Sequence, residues 1–146
     1  MPMETRVVTN HLRAGAPLTP NSRLTIPVTF TTDCGTKRAI SLLVDTGSEV
    51  NLIRENLLPP DCFSPAEHPI RMTAANHSSL SGGQLVVTGT VSFEGTDIDS
   101  KIRVNSDHRI VCYDADIAAD MIVSYEWLAT HGIDVRAFHH GIQINK

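Results

Sequence analysis

The most informative stretch of the chain is residues 39–53, which read AISLLVDTGSEVNLI. Its first part, residues 39–44, is apolar on nearly both faces, and this pattern predicts an interior strand. The strand ends at Asp45, and a second short apolar strand is predicted after Gly47, over residues 50–53. The sequence therefore predicts that Asp45 lies in a tight turn between two buried strands.

Alternating apolar and polar residues predict further strands on both sides of this stretch. Residues 24–30 alternate in this way, and a turn at residues 33–36 is expected to pair them with residues 39–44 as a hairpin. A second long hairpin is expected over residues 85–104, with its turn at residues 94–97, and the same period recurs in residues 133–135 and 142–144. One helical turn is expected at residues 54–58 and one longer helix at residues 125–131, capped by Ser124 and ended by Gly132. The prediction is an all-β domain with one short C-terminal helix.

The position of Asp45 suggests a particular chemistry. A lone charge at the end of a buried strand is unfavourable. Two such carboxylates about 3 Å apart cannot both ionise, so they share one proton, and one acts as base toward a water while the other acts as acid toward a carbonyl. Peptide hydrolysis is the reaction that such a pair performs. Gly47 would let backbone amides approach the carboxylates, while hydroxyls are available from Thr46 and from Ser48, which is expected to donate a hydrogen bond to Asp45. The simpler alternative is a turn aspartate that bonds only its own backbone.

Two segments, residues 42–53 (LLVDTGSEVNLI) and residues 120–128 (DMIVSYEWL), carry a family resemblance. They resemble the retropepsin-like aspartic proteases, especially those of gypsy-type LTR retrotransposons. The second segment is similar to the two apolar residues, glycine and Trp-Leu helix that follow the catalytic hairpins in that family. Together with the hairpins and a flap-like loop, the resemblance covers residues 20–146.

The resemblance implies a closed, barrel-like, all-β subunit with a flap hairpin, in which Asp45 is catalytic and Thr46, Gly47 and Ser48 support it. Because the chain has one Asp-Thr-Gly, it implies a symmetric homodimer that is active only when two chains meet. The expected function is an aspartic endopeptidase that processes a retroelement polyprotein, with no metal or cofactor. The flap is placed at residues 72–78, where an extended polypeptide substrate would meet Ala74, Ala75, Asn76 and His77.

Ser124 departs from the family pattern, which usually has glycine at this position. A larger residue here could crowd the catalytic loop or simply cap the helix. The alternative function is therefore a retropepsin-like dimerisation or peptide-binding module that has lost catalysis. A more distant alternative is the phosphate loop of actin-like and hexokinase-like kinases, but that fold needs two α/β lobes, for which 146 residues with almost no helix leave no room.

Composition narrows the range of partners and locations. The net charge of −4, with both signs mixed along the chain, argues against a nucleic-acid partner. The sequence has no apolar run near the ~20 residues that span a bilayer and no apolar core of a secretion signal at its start. The chain is therefore expected to be intracellular and cytoplasmic, without a membrane partner. Residues 1–20 are predicted to be an N-terminal tail and residues 21–146 the protease domain.

Cysteines and histidines suggest no metal site. Cys34, Cys62 and Cys112 are too few and too scattered for a disulfide framework or a structural zinc site. The adjacent His139 and His140 would point to opposite sides of a strand, so they could not easily share one ion. The seven histidines are expected to be solvated at the surface.

Overall fold

The computed structural model of the chain describes residues 3–6, 24–45, 47–73, 79–136 and 141–145. Most of these residues lie in strands, accompanied by one 3₁₀ turn, Pro60–Cys62, and one helix, α1 (Tyr125–Thr130). The strands, in chain order, are β1 (Met3–Arg6), β2 (Leu24–Thr32), β3 (Lys37–Val44), β4 (Leu52–Arg54), β5 (Ser64–Pro65), β6 (Met72–Thr73), β7 (Ser79–Leu80), β8 (Gly82–Asp97), β9 (Arg103–Ala115), β10 (Met121–Val123), β11 (Ile133–Arg136) and β12 (Gly141–Ile144).

Six strands close into a barrel. Going round it, the order is β8, β2, β3, β10, β4 and β9, and β9 pairs again with β8. The longest ladder is the antiparallel one between β8 and β9, which runs from Val86↔Tyr113 to Thr96↔Arg103. The prediction of an all-β fold with a closed barrel and one short helix is confirmed.

The apolar character of β3 follows from its two covered faces. Leu42 and Val44 belong to the main core, together with alternate residues of β2 and β8. Leu43 points to the opposite face, as strand geometry requires, and packs in a second cluster with Leu52 and Ile122. Leu42, Leu43 and Val44 are all buried, so the end of β3 that leads to Asp45 is packed on both faces.

The two long hairpins form, but the second turns later than predicted. β2 and β3 are antiparallel from Leu24↔Val44 to Thr31↔Lys37, which confirms the first hairpin. In the second, residues 94–96 still pair with β9, so the turn predicted at residues 94–97 is wrong. The turn instead follows the buried Asp97, whose Oδ2 accepts hydrogen bonds from the backbone N–H and the hydroxyl of Ser100, at 2.9 and 2.7 Å. These bonds shape the connection to β9.

The helical turn predicted at residues 54–58 is also wrong. Arg54 ends β4, and its N–H donates to the carbonyl of Asp120 at 2.9 Å instead of starting a helix. The helical turn comes later, at Pro60–Cys62, with proline in its first turn. Proline suits that position because it lacks the N–H that would have no helical partner there.

Met3–Arg6 is a strand within the segment that was predicted to be a tail. β1 pairs antiparallel with β12, from Met3↔Ile144 to Arg6↔Gly141, and with the end of β8 at Met3↔Asp97. The free edges of β8 and β12 supply backbone partners for these residues, which local sequence does not reveal. The tail prediction is wrong for residues 3–6, and residues 7–20 lie outside the described part of the chain.

The helix α1 follows the sequence prediction closely. Ser124 is its N-cap, Trp127 and Leu128 are buried, and Gly132 adopts φ +66° just beyond its end.

Within the described ranges, no helix is long and apolar enough to cross a bilayer.

Candidate active site

Asp45 lies directly after β3, where the buried strand meets the surface. Its carboxyl Oδ1 accepts a hydrogen bond from the N–H of Gly47 at 3.0 Å. A second bond, from the N–H of Ser48 to the carbonyl of Asp45, closes the turn at 3.0 Å. Asp45 itself is partly exposed. The turn therefore orients one carboxylate outward from a rigid strand, while Thr46 lies outside the described residues.

Gly47 lies against the Asp45 carboxylate. A Cβ built on Gly47 would come 3.4 Å from Asp45 Oδ1, at the near limit of ordinary contact. A side chain at this position would therefore cover one side of the carboxylate. The bond from the Gly47 N–H to the Asp45 carboxylate is also the contact expected of a turn aspartate that bonds only its own backbone.

Ser48 does not donate to Asp45, contrary to expectation. Its hydroxyl donates to the carbonyl of Val50 at 2.7 Å. A serine hydroxyl has one proton to donate, so this bond occupies it. Ser48 supports the loop after Asp45 rather than the carboxylate itself.

The second recognised segment packs beside the first. β10 lies between β3 and β4, the two strands that flank the Asp45 turn. It runs parallel to β3, with Met121↔Leu42 and Val123↔Val44 opposite each other, and antiparallel to β4. Residues 42–53 and 120–128, distant in sequence, thus form one three-stranded unit around Asp45.

Asn51 joins the loop after Asp45 to the start of α1. Its side-chain Oδ1 accepts from the N–H of Ser124 at 2.9 Å, and its Nδ2 donates to the carbonyl of Val111 at 3.3 Å. The hydroxyl of Ser124 accepts from the N–H of Trp127 at 3.1 Å, so it faces the helix. This role of Asn51 was not predicted, because a polar residue between the apolar Val50 and Leu52 is also the ordinary pattern of a half-exposed strand.

Asp120 ties β3 to β4 from the other side of β10. One carboxyl oxygen accepts from the N–H of Ser41 at 3.0 Å, and the other forms an ion pair with Arg54 at 3.2 Å. The carbonyl of Asp120 also accepts from the N–H of Arg54. Asp120 belongs to the second motif segment, but this role was not predicted from the sequence.

A hairpin lies where the flap was predicted. β6 and β7 are antiparallel, with Met72↔Leu80 and Thr73↔Ser79 opposite each other. The residues between them include Ala74, Ala75, Asn76 and His77, which are the predicted substrate contacts and lie outside the described residues. The contacts proposed for these four side chains remain predictions.

The base of this hairpin depends on Asp114 and two glycines. The buried Asp114 accepts hydrogen bonds from the N–H groups of Gly83 and Leu85, both at 3.0 Å. Gly82 and Gly83 adopt φ +116° and +85°, and a Cβ on either would come within 2.3 Å of a backbone oxygen. The two glycines therefore serve the base of the hairpin, where the chain turns into β8.

Among the described histidines, His108 is buried, contrary to the expectation that the histidines are solvated. His108 in β9 is 4% exposed, and its Nε2 lies 2.7 Å from the hydroxyl of Ser106. Its Nδ1 lies 3.0 Å from Nδ1 of His131, which stacks near Trp127. His139 and His140 lie outside the described residues. Among the residues that the structure describes, no group of three or more His, Cys, Asp or Glu side chains is arranged to hold a metal ion.

We take as the candidate active site the Asp45 turn, the strands that flank it, and the β6–β7 hairpin, whose Met72 packs in the same apolar cluster as Leu43 and Leu52. The arrangement holds one carboxylate per chain at an accessible turn. Comparison of the chain with protein-family models, with curated proteins and with solved structures finds no match.

Proposed function

We propose that the chain is an aspartic endopeptidase that works as a homodimer, with Asp45 of each subunit forming the catalytic pair. The observation that carries this proposal is the packing of the two motif segments against each other. β10 lies between β3 and β4, so the segment that resembles the family's second motif pairs on both sides with the segment that contains Asp-Thr-Gly. The two segments that carry the family resemblance, residues 42–53 and 120–128, are therefore neighbours in the fold beside Asp45.

In the proposed mechanism, two Asp45 carboxylates face each other across the dimer axis. Because like charges at that separation cannot both ionise, the pair holds one proton. The ionised member removes a proton from a water, which attacks the scissile carbonyl, while the protonated member donates to the carbonyl oxygen. When the tetrahedral intermediate collapses, the leaving amine takes a proton from one carboxyl, and the other carboxylate takes a proton back from a hydroxyl of the intermediate, so the pair again holds one proton. The Gly47 amide keeps each carboxylate in position through its bond to Oδ1.

The proposed substrate is an extended polypeptide. The β6–β7 hairpin would close over it, and its main chain would pair as an added strand. A retroelement polyprotein is proposed as the natural substrate from the sequence resemblance alone.

The proposal is tested with purified chain and an unstructured protein substrate between about pH 4 and pH 7, where a shared-proton pair works. The parent is expected to cleave the substrate and to be blocked by a pepstatin-like inhibitor, and Asp45→Asn to be inactive. Asp99→Asn serves as the matched control, because Asp99 is exposed on the turn between β8 and β9.

Two outcomes would count against the proposal. Cleavage that persists in Asp45→Asn would assign the activity to other residues or to a contaminant. No cleavage by the parent at any pH would favour the alternative, a dimerisation or peptide-binding module without catalysis.

A further inference from the structure

Two cysteines that are distant in sequence meet at the surface. Cys34 lies in the turn between β2 and β3 and is exposed, and Cys62 ends the 3₁₀ turn and is partly exposed. Their sulfurs are 3.0 Å apart, across a sequence separation of 28 residues. A disulfide bond is about 2 Å long, so the two sulfurs would need to approach by only about 1 Å to form one.

The surroundings of the pair favour reaction at Cys34. The hydroxyl of Thr32 lies 3.0 Å from Cys34 Sγ, and that of Thr36 lies 3.4 Å from Cys62 Sγ. Hydrogen bonding with Thr32, and then with Cys62, lowers the pKa of the Cys34 thiol to about 7. The lowered pKa increases the share of Cys34 that is thiolate at neutral pH, and the thiolate is the nucleophilic form.

Cys112 provides a contrast within the same chain. It is fully buried in β9, and burial raises the pKa of its thiol above the usual value. A buried neutral thiol reacts slowly with reagents in solution. Cys112 is therefore an internal control for oxidation at the surface pair.

We propose that Cys34 and Cys62 are an oxidation site that forms an intramolecular disulfide with a low-molecular-weight disulfide, such as glutathione disulfide, as the oxidant. The Cys34 thiolate attacks one sulfur of glutathione disulfide, forming a mixed disulfide and releasing one glutathione thiolate. Cys62, after losing its proton to solvent, attacks the Cys34 sulfur and releases the second glutathione. The protein loses two hydrogens, and one glutathione disulfide is reduced to two glutathione molecules.

The disulfide would enclose the part of the chain that carries the candidate active site. The loop between Cys34 and Cys62 contains β3, the Asp45 turn and β4. Closing a loop of this size restricts the unfolded chain, and we expect the melting temperature to rise by about 10 °C. The oxidation itself does not depend on protease activity.

The test incubates the full chain with glutathione and glutathione disulfide at increasing oxidant ratio, followed by intact mass and peptide mapping without reductant. The parent is expected to lose the mass of two hydrogens, to yield one cross-linked peptide containing both residues, and to keep Cys112 free. Cys62→Ser should instead retain one glutathione on Cys34, because the second thiol is missing. Cys34→Ser should form no intramolecular disulfide.

Three results would overturn the proposal. One is a parent that keeps glutathione on Cys34 to the same extent as Cys62→Ser, because the pair would then not close. Another is a disulfide that joins two chains. The third is a melting temperature that is lower in the oxidised parent than in the reduced parent, since the bond would then require distortion of the fold. Cys62→Ser under the same conditions is the matched control.

Discussion

Replacing Asn51 by alanine should weaken the connection between the Asp45 loop and α1. The change removes the acceptor for the Ser124 N–H and the donor to the Val111 carbonyl. Ser124 is only 4% exposed, so its N–H would lose its partner in a place that water does not readily reach. The Val111 contact is longer and exposed, so water can replace it.

The expected loss in the free energy of unfolding follows from these two contacts. A buried donor left without a partner costs about 1–3 kcal/mol, while the exposed contact contributes little. We therefore expect Asn51→Ala to lower the free energy of unfolding by about 2 kcal/mol. In urea this corresponds to a fall of about 1 M in the unfolding midpoint.

Urea unfolding of three variants distinguishes this explanation from a general loss of stability. Asn51→Asp keeps an acceptor for the Ser124 N–H and should lose less than half as much stability as Asn51→Ala. Asn105→Ala, at an exposed position in β9, should change the free energy of unfolding by less than about 0.5 kcal/mol. The reasoning is refuted if Asn51→Ala is as stable as the parent, or if Asn51→Asp is as damaging as Asn51→Ala.

Substitutions at three further positions test separate parts of the structure. Ser124→Ala should lower stability by about 1 kcal/mol through loss of the helix cap, measured in urea; Ser124→Gly should leave the cleavage rate unchanged, and a faster rate would show that the serine crowds the site. Gly82→Ala should cost at least about 2 kcal/mol, since φ is +116° and the new Cβ would meet a backbone oxygen at 2.2 Å; an unchanged melting temperature would contradict this. The hydrogen bond from Arg109 lowers the pKa of Asp33. Asp33→Asn should therefore be less stable than the parent at neutral pH, and the difference should vanish as the pH falls through the lowered pKa of Asp33. A difference that persists in stronger acid would rule out this ion pair as its source.

Local periodicity was sufficient to predict much of the barrel. The alternation in residues 24–30 and the two-sided apolar run in residues 39–44 correspond to β2 and β3, because burial on one or both faces leaves a direct trace in sequence. Ser124 and Gly132 marked the ends of α1 for the same reason, since caps act within a few residues.

Contacts between distant segments could not be predicted in this way. The Asn51–Ser124 bond and the Cys34–Cys62 contact join residues 73 and 28 positions apart, and strand register decides whether they meet. Glu94 and Gly95 resemble turn residues locally, but pairing with β9 keeps them in the strand. Tertiary pairing overrides local turn preference at that point.

The position of Asp45 was predictable, whereas its immediate partners were only partly so. The strand before it and the Gly47 amide contact follow from the sequence pattern. The Ser48 hydroxyl turned to the carbonyl of Val50, because a loop carbonyl two residues away is as accessible as the carboxylate.

The most direct test of the central proposal adds Asp45→Asn chain to a fixed amount of parent chain and measures the cleavage rate. If each active site needs Asp45 from two subunits, mixed dimers are inactive, and an equimolar addition should reduce the rate to about half once the subunits exchange. A larger excess should reduce it further, toward zero. A rate that does not change at any excess of Asp45→Asn would contradict a catalytic pair shared between two chains.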